Sequence, residues 1–358
     1  MAANKNNKAL NVPHLRFPEF TGEWNFEPLD TIAPNITSGK SKPAVGQYDL
    51  YGSTGIIGKT STADYSGDML LVARVGANAG TLQLVNGICG ITDNTLIIKP
   101  RKLSSRYLHF YLQHYNLNRL IFGSGQPLIT AGMLKKVHIP FGKPLEQYKI
   151  EILLNLIAER ITAQNKIIEK LETLIKALSA TVFNSLQGPL ILLSKVASIK
   201  KGQQLNGTEL EECGRYYVMN GGVVPSGYYN EYNTEANTIS ISEGGNSCGY
   251  VQFNTLPFWS GGHCYTLCDI KNEFINPKYL YHYLKYKEQN IMALRIGSGL
   301  PNIQKKALEQ FGIKLPDMTI QNRIAIALDT ITKKFDVENR IKKSYQAQKS
   351  YLLSNLFI

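Results

Sequence analysis

Two glycine turns carry the polar residues best suited to touching a polyanion. Gln126, Thr130, Lys135 and Lys136 follow Gly123-Ser124-Gly125; Asn302, Gln304, Lys305 and Lys306 follow Gly297-Ser298-Gly299. Ammonium groups beside a turn, near the start of a short helix, hold phosphate oxygens, while Gln and Asn amides read base edges. Ser38-Gly39-Lys40-Ser41-Lys42 and Lys200-Lys201-Gly202-Gln203-Gln204 occupy matching places early in the two halves and offer the same chemistry. A second pair of glycine segments is Gly76-Ala77-Asn78-Ala79-Gly80 and Gly245-Asn246-Ser247-Cys248-Gly249. Arg74, Asn78 and Asn246 lie on or beside them. Tyr216-Tyr217 and the run from Tyr228 to Tyr232 form an aromatic cluster that either packs in strands or meets sugar and base. The candidate contact residues are therefore Lys40, Lys42, Arg74, Asn78, Gln126, Lys135, Lys136, Lys200, Lys201, Gln203, Tyr228, Asn246, Asn302, Lys305 and Lys306.

Residues for covalent chemistry are missing. Gly58-Lys59-Thr60 after Gly52 fails the phosphate-loop spacing, which needs glycine where Ser53 stands, and is expected to mark a turn. No [Asp/Asn]-Pro-Pro-[Tyr/Phe] stretch, the usual amino-methyltransferase site, is present. Pro316-Asp317 lacks the Glu-x-Lys of a metal-dependent nuclease, and no Gly-x-Ser-x-Gly elbow occurs. His109 and His138 stand alone. His263-Cys264 with Cys268 does not match paired zinc-ligand spacing, and the odd count of 5 cysteines does not form a disulfide framework. The expectation is no catalytic residue, no metal, and reduced thiols.

The formal charge of +12 favours a polyanionic partner, nucleic acid first. The 358 residues suffice for two or three domains, with a core in each half. No run of about 18 apolar residues exists, so no membrane span is expected. Met1 to Asn11 is polar without an apolar segment, which points to a disordered lead-in, no secretory signal and a cytoplasmic protein.

The elements that must position these residues occur twice. Gly123-Ser124-Gly125-Gln126-Pro127 returns as Gly297-Ser298-Gly299-Leu300-Pro301, 174 residues later, and the same shift relates Gln147 to Gln321 and Phe183 to Phe357. Short β-rich runs at 47–51, 69–75, 81–85 and 95–98 precede a helix at 104–115, a short helix near 130–136 and a strand at 137–140. Runs at 217–219, 238–242 and 250–253 answer them in the second half. Each half ends in a long helix. The first seam is Ile150, Leu154, Ile157, Ile161, Gln164, Ile168, Leu171, Ile175, Leu178 and Val182, a heptad repeat. The second is Ile324, Leu328, Ile331, Phe335, Glu338, Ile341, Tyr345, Gln348, Leu352 and Leu356, with a stammer at Glu338. Gln164 and Glu338 are equivalent under the shift. An antiparallel pairing would bring them together and help set register.

These blocks, in this order and twice over, resemble the specificity subunits of type I restriction–modification systems. Asn11-Val12-Pro13-His14-Leu15-Arg16-Phe17-Pro18-Glu19-Phe20 resembles their opening, and Glu146-Gln147 and Ile320-Gln321 resemble the starts of their long helices. Leu300 in place of Gln126 and Thr319 in place of Leu145 are departures. The resemblance implies an α+β fold with two pseudo-symmetric target-recognition domains, each followed by a long helix, and the two helices packed as an antiparallel coiled coil. The expected divisions are a lead-in at 1–14, recognition domains at 15–144 and 188–318, and helices at 145–187 and 319–358. It further implies a non-catalytic chain that binds a bipartite site on double-stranded DNA. Two methyltransferase subunits would dock on it, restriction subunits would join, and the helices would set the unread gap. S-adenosylmethionine, ATP and Mg²⁺ would belong to those partners.

Overall fold

The computed structural model describes residues 11–121, 125–297 and 299–358. Most of the expected lead-in, residues 1–10, and Phe122, Gly123, Ser124 and Ser298 lie outside the described residues. Asn11 does not belong to a free lead-in, because its carbonyl accepts the Trp24 N–H at 2.8 Å. The chain forms two compact units. Unit 1 holds residues up to Asn165 together with Ile341–Ile358, and unit 2 is Lys166–Arg340. The long helices are therefore not separate domains: each unit takes part of both.

Unit 1 runs β1 (Asn25–Pro28), α1 (Leu29–Ile32), β2 (Thr37–Ser38), β3 (Tyr48–Gly52), β4 (Gly55–Thr60), β5 (Tyr65–Ser66), β6 (Met69–Ala73), β7 (Leu82–Val85), β8 (Ile88–Ile91), β9 (Thr95–Ile98), α2 (Ser105–Tyr115), α3 (Ala131–Lys135) and β10 (His138–Phe141). α4 (Pro144–Ser185) begins there and ends in unit 2. Unit 2 continues with β11 (Leu190–Leu192), α5 (Leu193–Val196), β12 (Ser198–Lys201), β13 (Tyr216–Met219), β14 (Gly227–Tyr229), β15 (Thr238–Ser242), β16 (Val251–Asn254), β17 (Trp259–Ser260), β18 (Cys264–Cys268), α6 (Pro277–Tyr286), α7 (Glu288–Met292), α8 (Lys305–Glu309), β19 (Gly312–Lys314) and α9 (Met318–Leu356).

The repeat holds at the level of strand order. A four-stranded antiparallel sheet, β2-β9-β6-β7, answers β12-β18-β15-β16. The pair β1-β10 answers β11-β19, and β3 pairs in parallel with β8 as β13 does with β17. Alternation along β6 explains its wholly apolar sequence. Leu70 and Val72 enter the core with Tyr107, Leu108 and Tyr111 of α2, while Met69 and Leu71 enter a second core with Val85, Cys89 and Ile91. The matching face of β15 is polar instead. Ser240 accepts from Asn254 Nδ2 at 2.8 Å, and the Ser242 hydroxyl donates to the Gly221 carbonyl at 2.6 Å.

Local signals placed the helices well. The Ser104 hydroxyl accepts the Tyr107 N–H at 2.9 Å, and Asn276 caps α6 ahead of Pro277. Gly58-Lys59-Thr60 is not a turn. It lies in β4, whose hairpin turns at Ser53-Thr54, and Lys59 pairs with Asp49 across the ladder at 2.7 Å.

From Ile150 to Ile175 the predicted seam of α4 is less exposed than its flanks. In unit 1, Ile150, Leu154 and Ile157 share a core with Leu352, Leu356 and Phe357; in unit 2, Leu178, Val182 and Phe183 share one with Ile324, Ala325 and Leu328. The start of α4 thus meets the end of α9, and its end meets the start of α9, an antiparallel pairing. Ile331, Phe335, Ile341 and Tyr345 are half-buried, and Gln164 and Glu338 are buried; Lys334 pairs with Glu338 one turn away. No stammer is needed. Gln348 is exposed, whereas Lys342 and Lys349 are half-buried. Through Lys342, Tyr345, Lys349, Leu352 and Leu356 the four–three alternation continues unbroken. Lysine stems lying along apolar surface supply the seam there, with Lys349 Nζ 5.9 Å from the Phe110 ring centre.

Candidate nucleic-acid interface

A two-bond backbone clasp is the centre of each unit's candidate surface. In unit 1 the Gly76 N–H donates to the Pro127 carbonyl at 3.0 Å, and the Ile129 N–H donates to the Arg74 carbonyl at 2.8 Å. In unit 2 the Gly245 N–H donates to Pro301 at 3.0 Å, and the Ile303 N–H to Glu243 at 2.8 Å. Gly76 and Gly245 have φ of 74° and 75°, a left-handed turn that favours glycine. Ile129 and Ile303 are fully buried and anchor the clasp in the two main cores. The clasp brings Arg74, Asn78 and Gln126 to one place in unit 1, and Asn246 and Asn302 to the equivalent place in unit 2.

The early basic segments align as the sequence implied. Ser38 pairs with Leu96 as Lys201 does with Tyr265, and the Gly39 N–H donates to Thr95 as Gly202 does to Cys264. Lys40 therefore matches Gln203. Lys40 and Lys42 are exposed on either side of buried Ser41, whose hydroxyl pairs with Asp64 and accepts from the Ile91 N–H at 3.1 Å. Gln203 is exposed, while its carbonyl accepts from Trp259 Nε1 at 3.0 Å.

Lys201 reaches Glu243 Oε1 at 2.6 Å, so it belongs to the clasp of unit 2. Lys200, its neighbour on β12, takes the opposite face of the strand. Tyr265 also directs its hydroxyl at Glu243 Oε1, 3.0 Å away, and at the Ile303 carbonyl, 3.1 Å away. Burial, and next the bond to Glu243, push that phenol far above its ordinary range, so it remains a donor.

One expectation needs correction. Lys135 and Lys136 stand at the end of α3, not its start, so they do not complement its N–H groups. Lys135 instead pairs with Asp30 at 2.8 Å. Lys136 lines a separate hollow of about 490 Å³ with Phe26, Tyr111, His114, Arg119 and His138. Lys305 and Lys306 do open α8 and are exposed, with Lys305 3.7 Å from Glu309. Tyr228 and Tyr232 are the exposed members of the cluster; Tyr232 packs on Tyr216, and Tyr229 on Trp259.

The sequence reading missed Glu243, exposed His263, whose Nδ1 is 3.7 Å from Glu243 Oε2, and the exposed Leu128, and it took Leu300, also exposed, only as a departure from Gln126. The signal was present. Arg74 and Glu243 each stand two residues before the glycine that opens a repeated segment. Among the described residues no group of three or more His, Cys, Asp or Glu is placed to hold a metal ion, and none of the helices is long and apolar enough to cross a membrane. All five cysteines are free thiols.

Comparison with known proteins places this architecture. The type I restriction modification DNA specificity domain matches residues 29–173 and again 192–345. A Mycoplasma genitalium protein described as a type I specificity subunit is 27% identical over 306 residues, 79% of each chain. One from Mycoplasma pneumoniae is 32% identical over 175 residues, 46% of each. The crystal structure of a type I restriction–modification S subunit from M. genitalium superposes with a TM-score of 0.80 at 20% identity, covering 97% of this chain and 99% of that one. The chain belongs to the type I restriction–modification DNA specificity family. It is a sequence-specific DNA-recognition subunit of that class.

Proposed function

We propose that each unit reads one half of a bipartite DNA target, and that the chain itself catalyses nothing. The observation that carries this reading is the doubled unit: one strand order and one clasp, lined by different side chains in the two copies. A shared scaffold with divergent lining suits two half-sites of different sequence. The net charge of +12 supplies phosphate attraction without sequence preference, and polar groups beside the clasps supply discrimination.

The chemistry then falls to partners. Two methyltransferase subunits, carrying S-adenosylmethionine, would dock on this chain, and restriction subunits using ATP and Mg²⁺ would join them in the cytoplasm. Leu145, Tyr148, Ile152 and Leu156 support docking: they form an exposed apolar stripe at helical spacing on α4. The length of the two helices would set the unread gap.

The test is methyl transfer from S-adenosylmethionine to duplex DNA, by the chain alone and with its methyltransferase partner. The expected result is no transfer alone and transfer at a two-part sequence with the partner. DNA binding by the complex should weaken steeply as salt rises. Methylation by the isolated chain, or salt-insensitive binding, contradicts the reading.

A further inference from the structure

The two clasps are built alike but lined oppositely. The repeated block reads Gly-Ser-Gly-x-Pro-x-Ile, and its constant Pro and Ile are the residues that take part in the clasp. Pro127 and Pro301 accept, while Ile129 and Ile303 donate and anchor. The two variable positions do neither job with their side chains, and both face solvent. The first is Gln126 in unit 1 and Leu300 in unit 2; the second is Leu128 in unit 1 and Asn302 in unit 2. Polar and apolar thus exchange places between the copies. Leu300 is 85% exposed, so its side chain is open to a partner.

The third position inverts charge. Arg74 in unit 1 is aligned with Glu243 in unit 2, and the substitution is supported all round. Lys201 and Tyr265, which hold the Glu243 carboxylate, replace Ser38 and Leu96, which have no charge to offer Arg74. The buried Arg74 Nε has no hydrogen-bond partner among the described residues. An unpaired buried guanidinium nitrogen calls for a ligand or a reason.

We infer that the clasp is the specificity-determining element of each unit, and that the side chains lining it read different base pairs in the two half-sites. This rests on the bipartite reading above. Arg74 and Gln126 present the fork and the amide that fit purine edges in the major groove. Leu128 and Leu300 present apolar surface that fits a thymine methyl group. Glu243 is largely buried and acts as a positioning residue, fixing exposed Lys201 beside Asn302. The backbone of the clasp is the constant part, so the same frame reads two sequences.

The test uses the full chain in complex with its methyltransferase partner and maps the methylated sequences. The wild-type complex is read first: failure to methylate a two-part sequence overturns the bipartite reading itself, before any variant is considered. Two double variants then exchange the linings, Gln126→Leu with Leu128→Asn, and Leu300→Gln with Asn302→Leu. All four side chains are exposed, so folding is preserved and co-purification with the partner verifies it. Each exchange should change the preferred base in one half-site only, a different half for each variant, with discrimination at that base moving by about tenfold or more. An unchanged target sequence, whatever the rate, overturns the inference, as does a change in both halves. Arg74→Gln adds a third reading. It should relax preference at a base in the same half as the Gln126 variant, and a uniform loss across all sequences would assign Arg74 to phosphate instead.

Discussion

Glu146 is 1% exposed and takes Arg16 Nε at 2.7 Å and Arg16 Nη2 at 3.0 Å, so the opening segment of the chain is locked onto the first turn of α4. Removing the arginine alone leaves a buried carboxylate without its counter-charge, which costs about 3 kcal/mol. Arg16→Ala should lower the urea midpoint accordingly, and an unchanged midpoint would show the pair to be dispensable. Gln147 and Gln321 make a second lock, donating from Nε2 to the carbonyls of Gly142 and Pro316, each at 2.9 Å. Burial holds His109 down at about 4, with Lys349 and Arg106 adding repulsion. The unfolded chain protonates near 6.5, so between there and about 4 it binds the proton that the folded chain refuses. Stability therefore falls as pH drops through that window, by up to about 3 kcal/mol. His109→Gln should flatten that part of the curve of melting temperature against pH; an equally steep curve would place the titration elsewhere. At this scale the sequence revealed residue types but not pairings. Lys135 looked free and is tied to Asp30, while Glu243 drew no notice because its meaning depends on the strand that delivers Lys201.

Among the elements, helices were the most legible. The Ser104 cap, the Thr130 cap and the heptads are local signals, and local physics decides them. Strands were read less completely. β4 hides its character behind Gly55, Gly58 and Lys59, and β8 and β14 are only four and three residues long. The stammer in α9 follows from placing Ile341 and Gln348 in the seam. Burial follows Lys342 and Lys349, whose stems do the work of smaller apolar side chains. Two variants separate these readings of the seam. Leu328→Ala, at a site 1% exposed, should cost about 2–5 kcal/mol. Gln348→Ala, on the exposed side, should cost less than about 0.5 kcal/mol, and thermal melts compare the two. A large loss at Gln348 would restore the stammer.

For the whole molecule, the repeat was legible as a spacing of 174 residues, and the structure extends it to sheet order, parallel strand pairs and the clasp. The assignment of the helices was not legible. Contacts divide α4 and α9 between the two units rather than setting them apart as domains, because the seam residues join the core of whichever unit adjoins them. The central claim is that each unit reads its own half-site. The most direct measurement replaces residues 15–144 with the equivalent part of a relative of different specificity and maps the sequence methylated by the resulting complex. The account predicts that one half of the target changes to the relative's while the other half is retained. A target changed in both halves, or in neither, would contradict it.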